Sequence, residues 1–215
     1  DIAIAVALDP DLPLAQIVQA RILVRHRQVD EALALAQSVA QNAPDNVYVL
    51  FYLANIYHIQ EDYPAAIDTY TQLLTLSTGI AEADPYFYAA NHYLLGKDYV
   101  NSDDFASAEQ DYARAVKFAP EIGFYVEDYA WILSYNEKYD EALQYAIIST
   151  ELNPTRGYSY FLLGTAFLNS DPPNYADALT ALNRANELGH SAPTLYSLRG
   201  LANDMLGNDE QALLD

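Results

Sequence analysis

Small residues recur along this chain at a spacing that leaves few folds open. Ala20, Ala54, Gly96, Ala130, Gly164 and Gly200 form one series, and Ala32, Ala66, Ala108, Ala142, Ala178 and Ala212 form a second; five of the six pairs are twelve residues apart. The stretch EIGFYVEDYAWILSYNEKYDEALQYAIISTELNP, ending at Pro154, shows what one period holds. It reads as two amphipathic helices joined by a tight polar turn, with Ala130 in the first helix and Ala142 in the second. A side chain larger than a methyl group at either position would push the two helices apart. A proline ends the period at Pro10, Pro44, Pro120 and Pro154, with Thr78 and His190 in the same seat of the other two units, and the register is 34 residues.

Units of this period that follow W-x2-L-G-x2-Y, A-x3-F, A and P resemble the tetratricopeptide repeat, and the resemblance covers nearly all of the chain. It implies an all-α fold, a right-handed solenoid of antiparallel helix pairs whose first helices line the concave face of a superhelix. The expected organisation is a single solenoid over residues 1–215. A partial repeat at 1–12 is followed by repeats at about 13–46, 47–84, 85–122, 123–156 and 157–192, and a truncated repeat at 193–215. DIAIAVALDP has the apolar spacing of the last turns of a second helix, and NDEQALLD opens a second helix that stops at Asp215, so the sequence reads as a piece of a longer array. Runs of period-two alternation are absent, and no strands are expected.

The period breaks once. STGIAEADPYFY adds eight residues before Gly96, and Asp84-Pro85 reads as an N-cap followed by a first-turn proline. The third repeat's first helix is therefore expected to run from Pro85 to about Asn101, about a turn longer than its siblings, with Tyr86, Phe87 and Tyr88 on the added turn. A smaller insertion, NSDPPNY, lies in the turn of the fifth repeat.

Charge narrows the partners. The net charge is -20, with 30 acidic against 10 basic residues, and nucleic acid and anionic membrane surfaces both need a basic footprint. Thirteen of the acids, from Asp30 and Glu31 to Asp209 and Glu210, fall at the turn between paired helices or just after it. Carboxylates there cap helix N-termini and complement the macrodipole, and the negative edge they form would also attract a basic partner. No run of 18 apolar residues appears, so no membrane insertion is expected within the segment. There is no cysteine, which removes disulfides and thiolate sites but leaves both cytoplasm and periplasm open.

Chemistry is not expected. Neither a G-x-x-x-x-G-K loop, a G-x-S-x-G elbow nor an H-E-x-x-H pair occurs. His26, His58, His92 and His190 are scattered, so neither a metal nor any other cofactor is anticipated, and the chain is not read as an enzyme. His92 reads as a core imidazole bonded to a tyrosine. Asp98 falls with Asn91 on the flank where sibling repeats carry Ile22, Ile56 and Ile132. A carboxylate there needs partners, and hydrogen bonds from tyrosine hydroxyls or exposure created by the longer preceding loop are expected, with a bound cation or a perturbed acid as the other reading.

What remains is a groove. In the resembled family the residues one face away from the packing seats point into the concavity. Here these are Arg21, Tyr48, Phe51, Asn55, His58, Tyr93, Lys97, Phe124, Glu127, Trp131, Tyr158 and Phe161, with Ile17 and Leu168 on the same register. Large rings on a solvent-facing concavity have the composition of a binding surface. Arg21, Arg25, Asn55, His58 and Lys97 make its first half polar and mildly basic, whereas Glu127, Asp128 and Trp131 make the centre aromatic and acidic. The carboxylate clamp of chaperone-binding family members is not reproduced: its seats hold Ile17, Arg21, Tyr52, Ala90 and Leu94. The expected function is a non-catalytic scaffold holding a protein or peptide in the groove. A sensor or regulatory segment of a larger enzyme or transcriptional regulator, and a polysaccharide-binding groove of an export system, remain alternatives.

Overall fold

The computed structural model describes residues 12–77, 79 and 83–215. The expected partial helix before Pro13, the Pro10 stop and Thr78 lie outside these. Within the described residues every regular element is a helix, and the helices alternate between first and second members of antiparallel pairs. They are α1 Pro13–Arg25, α2 Val29–Asn42, α3 Val47–Ile59, α4 Tyr63–Leu76, α5 Pro85–Asn101, α6 Phe105–Phe118, α7 Gly123–Tyr135, α8 Tyr139–Leu152, α9 Gly157–Asn169, α10 Tyr175–Glu187, α11 Pro193–Met205 and the short α12 Asp209–Ala212. No strand occurs among the described residues.

Local chemistry accounts for the boundaries. Asn46, Asp62, Asp84 and Asn174 each accept a backbone N–H with the side chain at the start of a helix, which satisfies donors the helix leaves open. Pro85 begins α5 as the dipeptide Asp84-Pro85 implied, and α5 has 17 residues against 13 in α3. Four of the six turns between paired helices share one device. Arg27, Glu61, Asp103 and Glu137 all take positive φ, between 60° and 63°, and the next residue's N–H reaches back to Leu23, Tyr57, Tyr99 and Leu133 respectively. This six-to-one closure is a Schellman stop, built here on charged residues rather than on glycine.

The chain divides into two compact units, Asp1–Phe118 and Ala119–Asp215. In the first, α1–α2, α3–α4 and α5–α6 pair, α2 lies on α3, and α4 lies on α5. In the second, α7–α8, α9–α10 and α11–α12 pair, α8 lies on α9, and α10 lies on α11. The small seats lie at the crossings. Ala20, Ala32, Ala54, Ala66, Ala108, Ala142 and Ala178 are 0% exposed. A Cβ built on Gly164 would come within 2.5 Å of Leu182, and one on Gly96 within 2.7 Å of the Tyr112 ring, so glycine at these two crossings admits a large side chain from the second helix.

Candidate functional site: the free faces of the first helices

In the first unit, α1, α3 and α5 present the residues that the sequence places in a groove. Arg21 donates to the Tyr52 hydroxyl at 3.0 Å, and its guanidinium lies 4.7 Å from that ring's centre. Tyr48 is exposed and Phe51 half-buried, and Phe87, from the added turn of α5, packs on both at 5.2 Å and 5.6 Å between ring centres. The longer helix thus extends an aromatic patch begun on α3. Arg21, Arg25, Val24, Phe51, Tyr52 and Asn55 line a cleft of about 220 Å³. Asn55 donates to the Phe51 carbonyl one turn back. Lys97 sits over the Tyr93 ring at 5.8 Å. Among the described residues Arg21, Arg25 and Lys97 form no salt bridge, although the chain carries three acids for every base.

His58 and Asp98 alter that picture. The carboxylate of Asp98 is wholly buried and accepts from His58 Nδ1 at 2.5 Å, while the His58 side chain is 27% exposed. The partner expected for Asp98 was a tyrosine hydroxyl; the partner found is a histidine forty residues earlier on a different first helix. Tyr70 lies close enough that the Asp98 charge adds to burial in raising its hydroxyl well above the ordinary tyrosine value. His92 is a core imidazole as expected, but its Nδ1 bonds Asp111 at 2.7 Å rather than a tyrosine, and Arg114 reaches the same carboxylate oxygen at 3.3 Å.

In the second unit the face is more aromatic. Phe124 is 48% exposed, and Tyr158 and Phe161 stack at 20° with His190 beside Phe161 at 4.7 Å. Burial, then the charges of Asp128 and Glu127, push the Tyr158 hydroxyl up to about 12. Burial also lowers His190, so this imidazole is neutral at neutral pH.

Three residues assigned to the groove are not displayed. Glu127 is 1% exposed: Ser159 donates to one carboxylate oxygen, Arg156 lies 2.7 Å from the other, and α9 covers the side chain. Ile17 at 0% joins Ala20, Val49 and Ile56 in a core cluster because α1 also lies on α3. Leu168 packs with Ala178 and Leu182. Trp131 is half-buried and rests on the cluster of Ala130, Ala146, Leu162 and Ala166, so it is a partly packed ring rather than a freely displayed one. Phe87, Arg156 and His190 border the faces without having been assigned to them, and Ser159 lies buried beneath. Of these, Phe87 and Arg156 carried a signal, one on an inserted turn and one just before a first helix.

Among the described residues no cluster of ligating side chains suits a metal ion, and no helix is long and apolar enough to cross a membrane.

These pairs and their crossings define a tetratricopeptide-repeat fold. Residues 17–85 match the family model described as tetratricopeptide repeat, and the structural neighbours include proteins described as of that class. YrrB, described as a TPR protein with an unusual peptide-binding site, superposes with a TM-score of 0.74 at 19% identity over 90% of this chain and 94% of its own. PilF of Pseudomonas aeruginosa gives 0.69 at 14% identity over 94% and 87%. A tetratricopeptide repeat protein from Parabacteroides merdae gives 0.61 at 19% identity over 99% and 80%. No curated protein sequence matches the chain. Family and fold together support a protein-interaction scaffold, a class that is generally non-catalytic.

Proposed function

We propose that the protein binds a peptide segment of a partner through the free faces of its first helices, and that it performs no chemistry of its own. The observation that carries this is the set of accessible rings on those faces: Tyr48 and Phe124, each 48% exposed, beside the half-buried Phe51, Phe87, Trp131, Tyr158 and Phe161. Rings of this size left partly in water are the anchors that dominate binding surfaces. In the first unit the same face carries Arg21, Arg25 and Lys97, which have no carboxylate partner among the described residues, and this favours a ligand with acidic groups there. YrrB's description as a peptide-binding TPR protein lends this reading support by analogy of fold only.

Selection of peptides from a random library against the whole chain tests the proposal. The recovered peptides are expected to contain acidic and apolar residues and to bind Tyr48→Ala at least tenfold more weakly than wild type, as loss of an aromatic anchor does. They should bind Lys97→Glu more weakly at low salt than at high salt. Peptides that bind both variants unchanged would remove the first-helix faces as the site.

A further inference from the structure

Asp98 stands at a seat, two residues after the small crossing residue, where sibling first helices carry Ile22, Ile56 and Ile132. Its side chain is 0% exposed. Among the described residues one carboxylate oxygen has a single partner, His58 Nδ1, and the other has none. The Tyr70 hydroxyl, near enough to feel the Asp98 charge, has no partner among the described residues either. Replacing an isoleucine by a buried carboxylate this poorly satisfied works against stability. The one thing the carboxylate does is hold the ring of a histidine on α3 whose side chain is 27% exposed.

The geometry points to Asp98 as a positioning residue that turns His58 into a fixed hydrogen-bond acceptor on the α3 face, one that recognises an N–H or O–H donor of the ligand. A carboxylate oxygen only accepts, so the proton of the neutral imidazole must lie on Nδ1. Nε2 then carries the lone pair. Because Nδ1 is turned inward to a fully buried group, Nε2 is the polar atom that the exposed part of the ring offers to solvent. Histidine in solution favours the opposite tautomer, with the proton on Nε2, so the buried carboxylate reverses the ring's default. One nitrogen's partner deciding what the other can do is a general property of imidazoles. The neighbouring face supplies donors in Arg21, Arg25 and Lys97, which suit ligand carboxylates. His58 Nε2 adds the complementary element, an acceptor suited to a peptide N–H. The ligand half of this inference rests on the first-helix faces being the peptide site; the positioning half does not.

The test uses the whole chain labelled with ¹⁵N-histidine and observed by long-range ¹H–¹⁵N correlation at about pH 8, where an ordinary imidazole is neutral. His58 is expected to carry its proton on Nδ1. In Asp98→Ile, which installs the residue of three sibling repeats and is expected to melt at or above the wild-type temperature, it should move to Nε2. A wild-type His58 protonated on Nε2, or no change in the variant, overturns the positioning role. Peptides selected against the wild-type chain should bind Asp98→Ile at least tenfold more weakly while keeping their sensitivity to Tyr48→Ala. Unchanged binding with the tautomer switched overturns the recognition of a donor by His58. If selection yields no peptide that binds the wild-type chain, the peptide-site reading and the ligand half fall together, and the spectrum alone still decides the positioning half.

Discussion

Two first helices bury a carboxylate, and they deal with it in different ways. Asp98 of α5, in the first unit, is met by a single histidine that stays partly in water. Glu127 of α7, in the second, is met by the hydroxyl of Ser159 and the guanidinium of Arg156, and α9 closes over it. Burial still lifts the Glu127 carboxyl above its ordinary value, because the Ser159 hydrogen bond and the Arg156 charge offset the desolvation only in part. The difference separates two uses of a buried acid. Glu127 knits α7 to α9 and presents nothing to a ligand, whereas Asp98 is tied to a ring that faces outward.

The largest effect expected from this contrast is at Ser159. Ser159→Ala leaves a buried carboxylate oxygen short of its donor and should cost about 2 kcal/mol in denaturant unfolding at pH 7. A cost near zero would mean that Glu127 reaches water after all, and the two sites would no longer differ in kind.

Next comes the pH response of Glu127. Its folded-state value is raised, so its favourable contribution is complete below the ordinary glutamate value of about 4.3 and is lost as pH rises through the raised value. Glu127→Gln keeps an acceptor for Ser159 and removes the titration. The variant should therefore lose less stability than wild type between about pH 4 and pH 7. An identical slope in the two proteins would show that burial does not govern this carboxyl.

The smallest effect concerns a feature the two units share. Glu61 in the first and Glu137 in the second both occupy the left-handed region, which costs a non-glycine residue about 1 kcal/mol or more. Glu61→Gly and Glu137→Gly should each stabilise by about 0.5 kcal/mol, the gain being partly cancelled by glycine's larger entropy loss on folding. A clear destabilisation at one of them would reveal a role for that side chain beyond closing its turn.

The same contrast shows what the sequence can and cannot reveal. The small seats, the Asp84 cap with Pro85 after it, and the longer α5 were legible because each depends on local spacing or on the preferences of one or two residues. The seat three residues before each small crossing residue was legible in direction but not in depth. Ile17 and Glu127 there are buried, while Phe51, Tyr93 and Phe161 are half-exposed. Depth is set by what the neighbouring helix places over the seat, which no period encodes. Asp98 and His92 stood out as polar residues at apolar seats, and both proved to be paired. The pairings themselves were not legible, because they join residues 40 and 19 positions apart through helix crossings that fix contacts only once packed.

The claim that the first-helix faces receive the partner is tested most directly by where a bound peptide touches the protein. A selected peptide carrying a photoreactive group should crosslink to Tyr48, Phe51, Phe124, Trp131 or Phe161. Ile147 and Ile148 on α8, which are 41% and 39% exposed, serve as an apolar control on a second helix. Crosslinks confined to the first-helix residues are the expected result, and crosslinks concentrated at Ile147 and Ile148, or along the acidic turns at Asp30, Glu61 and Asp103, would contradict it.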